Sequence, residues 1–192
     1  MGKIIVIYGA PNLGKTTQAK LLTEKLNSEG MSSVYFKYPI YDLAPTGPII
    51  NEVLRHGRQM DDLTLQTLYA QNRFDHEPNL FDWVDNRGFN AILEDYTGTG
   101  IAWGITKGID VGVLEEINKP LIKEHLSIWL DGQRYTSGIE RGHRFESDSN
   151  QWERARAVHE NLAIKYGWVK VDASQNKENV AKDIWNIVNK IF

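Results

Sequence analysis

The sequence has 192 residues, a formal net charge of −3, 41% hydrophobic and 24% charged residues, and no cysteine. That length and mixture fit one α/β domain over residues 1–192 and exclude a fibre or a disordered chain, while the missing thiols exclude disulfides, thiolate metal sites and cysteine nucleophiles. The acidic balance argues against a nucleic-acid partner and the lack of a long apolar run or leader pattern against a membrane one, so a cytoplasmic enzyme is expected.

The first apolar run, Ile4–Tyr8, reads as a strand and leads directly into Gly9-Ala10-Pro11-Asn12-Leu13-Gly14-Lys15-Thr16-Thr17. This is the pattern G-x-x-x-x-G-K-T between a strand and a helix, the setting that gives it meaning. There the backbone from Gly9 through Asn12 and Gly14 to Thr17 curls so that N–H groups point at a polyphosphate, and the helix N-terminus adds its dipole. Lys15 would meet the β- and γ-phosphates and the Thr16 hydroxyl would ligate Mg²⁺. The pattern implies binding of ATP or GTP.

The helix opening at Lys15 is predicted to run to about Ser28 and to stop at Gly30. A second strand, Ser33–Tyr38, precedes a loop marked by Pro39, Pro45 and Pro48, and Pro78 is expected to interrupt the helical region near His76. The third strand, Asn90–Asp95, ends in Glu94 and Asp95, where enzymes with such a loop hold magnesium; either carboxylate could serve. Gly98, Gly100 and Gly104 miss the dinucleotide fingerprint by one residue of spacing.

A fourth strand, Leu126–Asp131, leads to a segment with Arg141 and Arg144 around Gly142, suited to close over a moving phosphoryl group. Trp152, Ala155, Val158, Leu162 and Tyr166 then line one helix face; a fifth strand, Trp168–Asp172, follows, and Val180, Ile184, Ile187 and Ile191 line the last helix. Strands alternating with helices predict a P-loop NTPase three-layer sandwich: a five-stranded parallel sheet, helices on both faces, and a lid over about 133–148. The five histidines, at 56, 76, 125, 143 and 159, show no paired ligand spacing and read as solvated or incidental.

Across nearly its whole length the chain resembles the thymidylate kinases. Gly14–Gln18 is similar to the tail of that family's P-loop, and Tyr38-Pro39 falls where the family has Phe-Pro. Tyr69-Ala70-Gln71-Asn72-Arg73 resembles its Phe-x-x-Asn-Arg segment, and Glu94-Asp95-Tyr96 with Thr99-Gly100 and Ala102-Trp103 resembles its Asp-Arg-Tyr-x-x-Ser-Gly-x-Ala-aromatic stretch. The resemblance implies transfer of the ATP γ-phosphoryl to a deoxynucleoside monophosphate, dTMP above all, with Mg²⁺. It implies Lys15, Glu94, Arg141 and Arg144 as catalytic residues and Thr16, Glu94 and Asp95 as the metal set. Lys37, Tyr38, Tyr69, Arg73, Tyr96 and Thr99 would hold the acceptor, Ala173 would border the adenine, and the chain would pair as a homodimer.

Two family arginines are replaced here, by Tyr41 and Asp95. Both would contact the acceptor phosphate, and a carboxylate about 5 Å from a dianion repels it by several kcal/mol at an effective dielectric near 20. Two alternatives therefore stand beside the monophosphate kinase. One is a deoxynucleoside kinase, whose hydroxyl acceptor needs no such arginines and in which Glu94 or Asp95 accepts the proton. The other is a nucleotide-gated ATPase switch; Asn118-Lys119-Pro120-Leu121 lacks the aspartate that guanine recognition requires.

Overall fold

The computed structural model describes residues 2–135 and 149–192. Five strands form one parallel sheet: β1 (Ile4–Tyr8), β2 (Ser33–Lys37), β3 (Asn90–Glu94), β4 (Leu126–Asp131) and β5 (Val169–Asp172), in the order β2-β3-β1-β4-β5. Every residue of β1 and of β3 is buried, as a parallel sheet covered on both faces requires. On one face Ile5, Ile7, Ile92, Ile128, Leu130 and Val171 pack against α1 (Lys15–Ser28) and α7 (Lys177–Val188). On the other, Val6, Tyr8, Ala91, Leu93 and Trp129 meet side chains from α3 (Asp62–Phe81), α4 (Thr97–Thr106), α5 (Val111–Asn118) and α6 (Ser149–Tyr166). The three layers and the five parallel strands are those expected from the sequence, with strand limits within one residue.

Three local expectations change. The proline-rich stretch after β2 contains a helix, α2 (Thr46–Arg55), with Pro45 as its N-cap and Pro48 in its first turn, where a missing N–H breaks no intrahelical bond. Its Ile50, Val53 and Leu54 are buried at helical spacing. Pro78 does not interrupt α3: the helix continues to Phe81 and passes into a π-helical turn, Asp82–Asn86. The carbonyl deprived of its usual N–H partner four residues on is that of Phe74, whose side chain is exposed. Along α7 the buried positions are Val180, Ile184 and Val188, every fourth residue, with Ile187 and Ile191 only partly covered. On α6, Tyr166 leaves the apolar stripe, and its hydroxyl donates to Glu115 at 2.5 Å.

The histidines among the described residues are mostly structural rather than solvated. The His125 Nδ1 accepts the Ile4 N–H at 3.0 Å, His76 meets the Tyr38 hydroxyl at 2.9 Å, and the His159 Nδ1–H donates to the Ala155 carbonyl at 2.7 Å. His56 and His125 are exposed, His125 while accepting the Ile4 N–H, and His143 lies outside the described residues.

Candidate active site

The parallel strands end together, and the loops beyond their C-terminal ends enclose a cleft of about 320 Å³. Between β1 and α1 the backbone makes a turn that only certain residues permit. Gly9 has φ 146°, and a Cβ there would lie 2.6 Å from the Leu130 carbonyl oxygen. Asn12 at φ 61° and Gly14 at φ 82° complete the curl, and Lys15 begins the helix. The loop is braced from the far side of the chain: the Trp152 indole N–H donates to the Pro11 carbonyl at 2.8 Å, and the Tyr135 N–H to the Asn12 carbonyl at 2.9 Å.

Lys15 is 7% exposed, and its ammonium donates to the Gly9 and Ala10 carbonyls at 2.9 and 3.0 Å, with Asp95 Oδ1 at 3.7 Å. The Thr16 hydroxyl donates to Glu94 Oε1 at 2.7 Å, the Tyr35 hydroxyl donates to the other oxygen, and the Lys37 ammonium stands 3.0 Å from Oε1. Burial pushes the Glu94 carboxyl up, but Lys37 and Lys15 together with the two hydroxyl donors outweigh it and hold it below the usual glutamate range. Asp95 goes the other way. Burial raises its carboxyl against the pull of Lys15, the adjacent Glu94 charge raises it further, and the Thr99 hydroxyl donates to its Oδ1 at 2.9 Å. Of the two acids, Glu94 is the one that meets Thr16. A hydroxyl and an ionised carboxylate side by side at the phosphate loop are the hard-oxygen pair that suits magnesium, which takes few protein ligands and keeps its waters.

The other half of the cleft is aromatic and basic. Tyr38, Pro39, Tyr41, Leu54, Arg55, Tyr69, Arg73, Thr99, Gly100 and Trp103 all line it. Arg73 is 4% exposed; its NH1 donates to Asn118 Oδ1 at 3.2 Å, and its guanidinium lies against Gly100, where a Cβ would come within 3.0 Å. Asn72 is completely buried and ties down the segment after β2: it accepts the Ile40 N–H at 2.8 Å and donates to the Ile40 carbonyl and the Thr46 hydroxyl, each at 3.0 Å. Its fixing role, like the cleft positions of Leu54 and Arg55, has no separate signal in the sequence, because each depends on α2.

Among the expected site residues, the structure brings Gly9, Asn12, Gly14, Lys15, Thr16, Thr17, Lys37, Tyr38, Tyr69, Arg73, Glu94, Asp95 and Thr99 to one cleft. Tyr96 and Ala173 do not line it. Tyr96 is fully buried beside Tyr38, ring centroids 5.3 Å apart. Ala173 is buried at the end of β5, where its carbonyl accepts the Tyr135 hydroxyl at 3.1 Å. Arg141 and Arg144 lie outside the described residues.

A family model described as thymidylate kinase matches residues 7–184. The chain belongs to the thymidylate kinase family. It is 26% identical to the thymidylate kinase of Dictyostelium discoideum over all of this chain and 86% of that one. It is 27% identical to that of Schizosaccharomyces pombe, over 99% of this chain and 93% of that one. A solved structure of thymidylate kinase from Candida albicans has the same fold, with a TM-score of 0.86 at 23% identity over 98% of this chain and 92% of that one. Membership makes the chain an ATP-dependent phosphotransferase of the P-loop kinases. No described helix is long and apolar enough to cross a membrane.

Proposed function

We propose that the chain transfers the γ-phosphoryl of ATP to dTMP, forming dTDP. One observation carries the reading: the phosphate loop and the aromatic, arginine-bearing slot of Tyr69, Trp103 and Arg73 open into a single cleft. Lys15 and the loop N–H groups bind the donor phosphates, with Gly9, Asn12, Gly14, Thr16 and Thr17 shaping the cradle. Thr16 and Glu94 would hold Mg²⁺, with Asp95 next to them. The ion would supply positive charge to offset the negative charge of the donor phosphates. Tyr69 offers a ring to stack on the base and Arg73 donors for its edge, while Lys37, Tyr38 and Thr99 line the path between base and donor. The acceptor phosphate is already a nucleophile near neutral pH, so the site aligns and neutralises and needs no strong base.

Arg141 and Arg144 belong to the proposal as lid cations, and Ala173 as a border of the adenine site. A homodimer belongs to it too, supported by Leu63, Phe74 and Phe81, which are exposed at 44%, 51% and 49% along one face of α3. The nucleotide substrates make the cytoplasm the expected compartment. Incubation with Mg-ATP and a panel of thymidine, dTMP, dCMP, dAMP and dGMP tests the reading. The expected result is dTDP as the dominant product; faster conversion of thymidine than of dTMP would overturn it in favour of a nucleoside kinase.

A further inference from the structure

A monophosphate acceptor brings a dianion into a cleft that already holds two carboxylates, so cations must be placed for it. Among the described residues lining the cleft the cations are Lys15, Lys37, Arg55 and Arg73. Three have positions that commit them elsewhere. Lys15 lies inside the phosphate loop, on the Gly9 and Ala10 carbonyls. Lys37 sits on Glu94, with Thr16 Oγ1 at 3.4 Å, on the magnesium side. Arg73 is buried at the base end, against Asn118 and Gly100.

Arg55 is different. It ends α2, and its guanidinium carbon stands 4.4 Å from the centroid of the Tyr41 ring while NH1 donates to Asn51 Oδ1 at 3.0 Å. A stacked ring below and an amide one helical turn earlier fix a side chain that otherwise has many rotamers. Tyr41 lies four residues beyond Lys37 on the segment leading from the magnesium side to the slot of Leu54, Tyr69 and Trp103. A guanidinium stacked on its ring lines the same cleft as the phosphate loop, and its planar fork matches phosphate oxygens.

We propose that Arg55, positioned by Tyr41 and Asn51, binds the 5′-phosphate of the acceptor and sets the preference for a monophosphate over a nucleoside. The proposal rests on the monophosphate-kinase reading above. Calorimetric titration of the full chain with dTMP and with thymidine isolates the phosphate, because the two ligands differ in nothing else. In Arg55→Met, dTMP affinity is expected to fall roughly 10- to 100-fold, the loss of a charge-assisted contact, while thymidine affinity stays within about twofold. Arg55→Lys keeps the charge without the fork and is expected to recover part of the dTMP affinity. Unchanged dTMP affinity in Arg55→Met overturns the proposal, and so does a parallel loss for both ligands, which marks a structural role. A wild-type protein that binds thymidine but gains nothing from the phosphate of dTMP overturns the monophosphate reading itself, a result distinct from tight dTMP binding that survives the substitution.

Discussion

Glu94 and Asp95 are neighbours in the chain, yet their side chains serve different parts of the cleft. Side chains alternate along β3, so Glu94 shares a face with Ile92, the face that packs on α1, and there it finds Thr16. The register repeats the point: Lys37 pairs with Glu94 and Tyr35 with Ile92, which sets both β2 residues on that same side. Asp95 leaves the strand at φ 60°, a left-handed conformation that aspartate and asparagine tolerate, and turns towards Lys15 and Thr99. Asp95→Asn retains the backbone and the acceptor atom for Thr99 but removes the anion. We expect the KM for dTMP to fall roughly three- to tenfold, about 1 kcal/mol of repulsion relieved, with kcat little changed. A kcat reduced 100-fold or more in steady-state assays would place Asp95 in the phosphoryl-transfer machinery instead. Strand parity could have chosen between the two acids from the sequence alone, since the phosphate loop opens α1. Nothing comparable flags Arg55, whose meaning depends on a ring 14 positions away brought close by a helix hidden among prolines. The outward or inward facing of Tyr96 is equally illegible, because it follows the left-handed residue that ends the alternation.

Among the elements, α4 shows how a misleading pattern acquires a physical cause. Its glycines at 98, 100 and 104 are points of close approach: Gly98 meets the Trp168 ring, Gly100 the Arg73 guanidinium and Gly104 the Leu114 side chain. A Cβ on Gly98 would lie 2.4 Å from the Trp168 ring, which is itself stacked on Tyr8 with centroids 4.2 Å apart and has little room to yield. Gly98→Ala is therefore expected to cost about 1–3 kcal/mol by overpacking. In a thermal melt that is a fall of several degrees, at roughly 2–4 °C per kcal/mol for a chain of this size. An unchanged melting midpoint would contradict the packing described. The strands and α1 were legible because apolar runs and a glycine stop report on the backbone directly. By contrast α2 was not: three prolines read as a loop when two of them form the start of a helix.

For the whole molecule, stability and activity should respond to pH through different groups. His159 is completely buried behind the sheet; burial lowers its imidazole to about 4, the Ala155 hydrogen bond opposes this, and the nearby Lys15 charge adds to it. A histidine with a lowered folded value binds its proton more readily when unfolded, so stability is fully present above about 6.5 and is lost as pH falls towards 4. The loss amounts to about 3 kcal/mol, and denaturant titrations between pH 7 and 4 should show it shrink in His159→Gln relative to wild type. An identical pH slope in the two proteins would exclude His159 as its source. Activity, in contrast, rests on the one cleft where donor and acceptor sites meet. Lys15 is its most direct probe, because its ammonium lies within the phosphate loop, on the Gly9 and Ala10 carbonyls, and faces Asp95. The decisive measurement is the initial rate of dTDP formation from dTMP and Mg-ATP by wild type and by Lys15→Ala, with circular dichroism confirming the fold of both. The account predicts transfer by wild type and a loss on the order of 10³-fold in the variant. Transfer by the variant within about tenfold of wild type, or no dTDP from the wild-type protein, would contradict it.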